Sequence, residues 1–544
     1  MARPAPPLPR LLFAFVAPFR DFLRTQSASG LLLVLATAAA LAWANSRYAG
    51  SYEALVHARA SVGLGAKQIA WPLSHWVNDA LMALFFLLAG MEIKRELVVG
   101  ELRTLRRAAL PLVAALGGMT APALLYVAFN AGGAGLAGWA IPTATDIAFS
   151  LGCLTLAGPR VPPSLAVFLA ALAIFDDLGA ILIIALFYGA SLDLAALGAA
   201  AVISLALVAL GRSGVRALWL YLVLGALLWV ALYRSGLHAT LAGVVLGLAI
   251  PARPPREPTD VLDDLGRAVD ALHRVRLGAD GGRGADGAVA ALERHLESVQ
   301  SPLDRLRHGL HGPVSYGIVP LFALVNAGVA FGPGAAALAA SPVALGAGLG
   351  LLLGKPVGVF GSTYAAVRLG LAPRPAGTTW THLCGAALLA GIGFTMSIFI
   401  TGLAFAADPA TQDAAKVGVF AGSFGSAVAG LALLRGVGAK TARSAERRDD
   451  EGEVRVLVDL PQFDNDYRLA QWSPRGALVG QTLGELDARR RHGVNVLGAW
   501  PRDDSAVAPA NRKLKPVGGD YRIGLGDTLL LVGDRKAVAA FIGL

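Results

Sequence analysis

The chain has 544 residues, 55% of them hydrophobic and 15% charged, with 65 glycines and a formal net charge of +10. A soluble globular domain carries roughly 25% charged residues, so this composition argues against an ordinary soluble enzyme and for a membrane class. Nor does the positive charge imply nucleic acid, because the arginines cluster in loops between apolar segments, as in cytoplasmic loops of a polytopic protein.

In chain order, residues 1–28 read as a cytoplasmic amphipathic segment, Leu11 to Leu23 with Arg10, Arg20 and Arg24 lying on the membrane surface, and no cleavable signal is apparent. The long apolar region is 29–436. Within it, stretches long enough to cross a ~30 Å hydrocarbon core predict about twelve transmembrane helices, at roughly 29–45, 73–91, 107–128, 138–156, 163–187, 194–211, 216–233, 236–250, 313–331, 342–367, 381–405 and 414–435. Lysine and arginine collect in alternate loops (Lys94, Arg95, Arg103, Arg106 and Arg107; Arg160; Arg212 and Arg216; Arg368 and Arg374), which places both termini in the cytoplasm of a bacterial-type inner membrane. Residues 251–312 read as a long charged cytoplasmic loop with a helix around Gly287–Gln300, and 437–452 as a linker. Beyond it, 453–544 form a small α+β domain: EVRVLVDL, VNVLGAW and TLLLVGD alternate as strands, while TLGELDARRR and 534–543 are helical. Cys153 and Cys384 stand alone in apolar runs and have no metal spacing.

Four ionisable residues stand near the middle of their spans: Asp146, Asp176, Asp177 and Lys355. A charge at that depth costs roughly 2.5–3.5 kcal/mol on insertion scales, so each is a functional candidate. Two adjacent aspartates in a low-dielectric site resist simultaneous ionisation. A hard monovalent cation relieves that repulsion, so the pair can hold protons or a cation but not both. Lys355 can neutralise one carboxylate and exchange its own proton. A salt-bridge network that merely locks helices is the plainer alternative. Two spans also carry interruptions, Ile141-Pro142-Thr143-Ala144-Thr145-Asp146 and Gly391-Ile392-Gly393-Phe394-Thr395. They predict discontinuous helices 4 and 11 meeting at the midplane, with Asp146 balancing the positive half-helix ends and Lys355 the negative ones. Proline and glycine in membrane helices can also do no more than kink them.

Several long segments resemble the NhaA-type Na⁺/H⁺ antiporters: NDALMALFFLLAGMEIKREL (78–97), GWAIPTATDIAFSLG (138–152), FDDLGAILIIALFY (175–188), SGLHATLAG (235–243), PLFALVNAGV (320–329), GKPVG (354–358) and GIGFTMSIFITGLAF (391–405). The resemblance covers about 10–436 and implies an all-α polytopic fold of twelve helices with inverted repeats. It also implies electrogenic alternating access exchanging two protons per sodium, with no cofactor. By position, Asp177 resembles the principal sodium carboxylate and Asp176 its neighbour, paired with Lys355, so Na⁺ is expected at Asp176 and Asp177. Thr145 and Asp146 resemble the polar groups at the helix crossing, and Asp79 a carboxylate early in the second span. Glu92, Arg95 and Glu96 resemble a pH-activation cluster, His238 a histidine affecting pH response, and 48–70 a dimerising hairpin, so a homodimer is implied. In SPLDRLRHGLHGPVSY, Arg307 replaces a glutamate usual in the pH cluster and Gly312-Pro313 stands where Pro-Trp is common, while His308 and His311 remain. A cation there should alter the pH threshold.

The tail, through SPRGALVGQTLGELDARRRHGVNVLGAW and GLGDTLLLVGDRKAVAAFI, resembles the RCK/TrkA-type C-terminal regulatory domain. That likeness implies dimerisation and a small regulatory ligand, although no glycine-rich dinucleotide fingerprint is present. A dimerisation or stability module is the alternative. Rival readings of the whole are a K⁺/H⁺ antiporter, a ligand-gated cation channel and a sodium-coupled symporter. No TVGYG-type filter is visible, and the flanks of the aspartate pair are almost wholly apolar. The expected partners are the lipid bilayer, a second copy and the tail's ligand, and no nucleic acid.

Overall fold

The computed structural model describes residues 26–252, 301–446 and 454–541, apart from 65–66, 159–160, 190–191, 333 and several short stretches after 460. Most of the expected N-terminal segment and the helix around Gly287–Gln300 lie outside these residues. The chain divides into two units, Met1–Val437 and Gly438–Leu544.

The first unit is helical. Among the described residues, seven helices are long and apolar enough to cross a bilayer, and ten if each bent pair counts as one span. The long helices are Leu73–Val98, Ala108–Asn130, Pro163–Phe187, Leu194–Arg212, Leu218–Ser235, Pro342–Arg368 and Pro409–Gly436. Two of the bent pairs are the expected discontinuous helices: Ala134–Thr143 with Ile147–Leu156, turned by 47°, and Trp380–Ala390 with Phe394–Ala404, turned by 40°. The third, Ser29–Ala44 with Ala49–Val56, turns by 118° and doubles back.

The eighth and ninth expected spans differ most from their sequence bounds. The eighth contains only the nine-residue helix Leu241–Ala249. The ninth starts well before 313, because Pro302–Pro313, Val314–Ile318 and Val319–Asn326 are helical without interruption and the chain is extended after Ala327. Residues 302–312 therefore belong to a helix, not to the charged loop. Ser301 is the reason: its hydroxyl accepts from the Asp304 amide as an N-cap, and Pro302 follows at the first helical position. The strands Arg59–Leu64 and Lys67–Pro72 pair as an antiparallel hairpin where 48–70 was expected to form one, running two residues beyond that bound. At the other end, helix Pro409–Glu446 runs through residues expected as linker.

Among the described residues three segments are π-helical: Trp76–Leu81, Val314–Ile318 and Gly350–Gly354. Pro320 and Pro356 each follow one closely, and a proline ring clashes with the carbonyl four residues back, which a wider turn relieves. Glycines let the helices around the centre approach closely. A Cβ on Gly90 would lie 2.8 Å from the Val244 carbonyl oxygen, and one on Gly354 2.8 Å from Pro122 Cα. Small residues of this kind do in lipid what large apolar ones do in water, since backbone approach supplies the dispersion contacts.

The second unit holds a four-stranded antiparallel sheet in the order Val454–Leu460, Tyr467–Trp472, Thr528–Asp534, Val494–Trp500. Trp472 packs edge-on against Phe541, with ring centroids 5.3 Å apart, over buried Val494, Ala499, Leu529 and Leu531. Of the expected TLGELDARRR helix, the described residues hold the turn Leu483–Leu486, started by a Thr482/Glu485 capping box and followed by Asp487 at φ 39°. The central strand Tyr467–Trp472 was not anticipated.

Candidate ion-binding site

The two broken helices cross where their backbones are interrupted, and each side chain at the break satisfies the other helix. A break at membrane depth leaves amides and carbonyls that no water can reach, so partners must be supplied internally. The Asp146 amide donates to the Ile392 carbonyl at 2.7 Å. Its carboxylate caps both half-helix N-termini. Oδ1 accepts from the Phe149 amide at 3.0 Å, and Oδ2 accepts from the Thr395 hydroxyl at 2.6 Å and the Thr395 amide at 3.3 Å. A carboxylate at two converging dipole ends is the favourable sign of charge there.

The opposite ends are treated with donors. The Thr145 hydroxyl lies 2.9 Å from the Ala390 carbonyl and 2.7 Å from Asp176 Oδ2, the Ser150 hydroxyl donates to Leu389, and the Ser397 hydroxyl donates to Ile141. Lys355 donates through a short hydrogen bond to the Thr143 carbonyl. Its Nζ also lies 2.9 Å from Asp176 Oδ2, and both side chains are 0% exposed. The lysine thus sits at a negative helix end and beside a carboxylate.

Asp177 has a different environment one residue away. It is buried, and its Oδ1 has no hydrogen-bond partner among the described residues; nor has Oδ1 of Asp176. An unpartnered buried carboxylate oxygen is costly unless something occupies the space before it. Asp177 faces a cavity of about 360 Å³ that it shares with Thr145, Asp146 and Thr395. These are all oxygen donors, the set a hard monovalent cation prefers. Among the described residues no group of three or more His, Cys, Asp or Glu converges as a transition-metal site would.

The residues singled out for pH response divide between two cavities. Glu92, Arg95, Glu96, Arg307 and His311 line the same cavity as Asp177. His308 does not: its Nδ1 pairs with the Asp304 carbonyl of its own helix at 2.7 Å. Asp79 and His238 line a second cavity of about 930 Å³, where His238 Nε2 lies 2.7 Å from the Tyr188 carbonyl. Asp79 Oδ2 there meets His75 Nε2 at 3.3 Å. Sequence reasoning missed His75, Asp304 and Thr395. His75 stands four residues before Asp79, one helical turn away, which is a readable signal. Asp304 completes an S-x-x-D start, but only once 302–312 is known to be helical.

The family model described as Na⁺/H⁺ antiporter 1 matches residues 20–434. The chain belongs to that family. The Na(+)/H(+) antiporter NhaA 1 of Myxococcus xanthus is 50% identical over 435 residues, covering 80% of this chain and 96% of the relative. The Na(+)/H(+) antiporter NhaA of Rhizorhabdus wittichii is 51% identical over 426 residues, 78% of this chain and 99% of its own. That of Mesorhizobium japonicum is 50% identical over 420 residues, 77% and 94%. As a member of the Na⁺/H⁺ antiporter 1 family the chain is a multi-pass membrane transporter, not an enzyme. Residues 435–544 lie beyond the family match.

Proposed function

We propose that this antiporter exchanges Na⁺ or Li⁺ for protons by alternating access, with about two protons moved per cation. The observation that carries the reading is Asp177, buried in a cavity of oxygen donors with Oδ1 unpartnered, next to an Asp176 already neutralised by Lys355. Asp177 holds either a proton or the cation. The Asp176–Lys355 pair is the second protonable group, which makes the exchange electrogenic. Thr145, Asp146 and Thr395 supply further oxygens and keep the crossing rigid. Both termini and the cavity of Glu92 and Arg307 face the cytoplasm of a bacterial-type inner membrane, and the hairpin at 48–70 and the tail join two copies.

The test is cation-induced proton flux in proteoliposomes across mildly acidic to alkaline pH, with Na⁺, Li⁺ and K⁺ compared. Proton movement on adding Na⁺ or Li⁺, enhanced when a permeant ion dissipates the potential, is expected. Movement with K⁺ alone would transfer the site to potassium, and silence with all three would remove the assignment.

The tail is proposed as an RCK/TrkA-type regulatory module for a small ligand, on its resemblance and on its place beyond the family match. A chain ended at Glu446 should retain maximal exchange while losing any ligand response. A folded but inactive truncation would make the tail part of the transport machine.

A further inference from the structure

The cavity in front of Asp177 is lined by two fixed positive charges, Arg95 and Arg307. A guanidinium cannot shed its proton at any physiological pH, so neither charge can be switched off. Left alone, such a pair would depress the local cation concentration in front of the site.

Asp304 stands between them. Its Oδ1 lies 3.2 Å from Arg95 Nε and 3.7 Å from Arg307 Nε. Arg95 belongs to helix Met82–Val98, whereas Asp304 and Arg307 belong to Pro302–Pro313, so one carboxylate ties two helices. It is itself held: the Ser301 hydroxyl donates to Oδ2 at 2.8 Å and accepts from the Asp304 amide at 3.0 Å. The other charged or titratable groups around it are Glu92 and Glu96 on the facing helix, with Glu96 3.7 Å from Arg95, and Arg305, His308 and His311 on its own. Of the groups beside Asp304 that line the cavity, Glu92 and Glu96 stand against Arg95 and Arg307; Asp304 does not line it itself but adds a negative charge in contact with both arginines.

We infer that Asp304 is a positioning residue for transport: its carboxylate, in charge contact with Arg95 and Arg307 through an Oδ1 that makes no hydrogen bond to either, offsets their charge and keeps the passage to Asp177 attractive to monovalent cations. This rests on the exchange reading above, and the test separates the two. In proteoliposomes, Asp304→Asn is expected to raise the KM for Na⁺ about tenfold and to move the pH profile, with maximal rate changed less than about twofold. Asp304→Glu should restore the wild-type KM. An unchanged KM and pH profile in Asp304→Asn, beside a working wild type, overturns the inference alone. So does a fall in maximal rate that Asp304→Glu does not rescue, since that is a folding role.

A second measurement does not depend on exchange. With Cys153 and Cys384 replaced by serine and Ala170→Cys placed on the cavity wall, a cationic thiol reagent is compared with a neutral one of equal size. Asp304→Asn should slow the cationic reagent severalfold relative to the neutral one. An unchanged ratio overturns the inference whether or not the protein transports.

Discussion

Asp177→Asn is expected to reduce Na⁺-driven proton movement by two to three orders of magnitude or more while leaving the protein folded. Removing one partner of a buried charge contact costs on the order of 3–5 kcal/mol, and about 1.4 kcal/mol is a factor of ten. The amide also cannot carry the proton that is exchanged. Stability should move the other way. Asp177 Oδ1 has no hydrogen-bond partner among the described residues, so a neutral amide removes a buried charge without breaking a described contact. Thermal unfolding in detergent should therefore begin at the wild-type temperature or above it. Flux that survives in this variant would dismiss Asp177 as the exchanging group.

The second large effect is on stability and falls on the neighbouring pair. Lys355→Ala strands Asp176 as a fully buried charge and leaves the Thr143 carbonyl without its donor. A loss on the order of 3–5 kcal/mol follows, read as a drop in the unfolding midpoint and in the yield of folded protein. Adding Asp176→Asn to that background should recover much of the loss, because the uncompensated charge goes. The double-mutant cycle isolates the pair's own contribution. A single variant as stable as wild type would mean that the lysine is not what compensates Asp176.

The parts of the site visible from sequence are those that break the membrane's rules. Asp146, Asp176, Asp177 and Lys355 stand out because charge is expensive inside an apolar run, and the two helix breaks stand out through Pro142, Gly391 and Gly393. The structure brings all four charged residues to that crossing. Residues at the ends of spans obey no such rule. Asp304 sits in a charged stretch where one more aspartate is ordinary, and its significance depends on a helix that begins at Pro302. The short helix Leu241–Ala249 falls short of the span 236–250 because Gly236 to Thr240 turn instead of winding. In the second unit the strand Tyr467–Trp472 has weak alternation, with Leu469 and Ala470 adjacent, and pairing on both edges compensates for it.

The wide turn Gly350–Gly354 has a bearing on how the chain tolerates insertion and loss. Such a turn is an α-helix carrying one extra residue, and each residue advances an α-helix by about 100°. The azimuth of Lys355 on its helix, and with it the pairing with Asp176 and Thr143, is therefore set by a count of residues and not only by their identity. Along this stretch a homologue could exchange one apolar residue for another and keep its lysine aimed inward. Dropping a single position would swing that lysine toward a different neighbour, even with every charged residue retained.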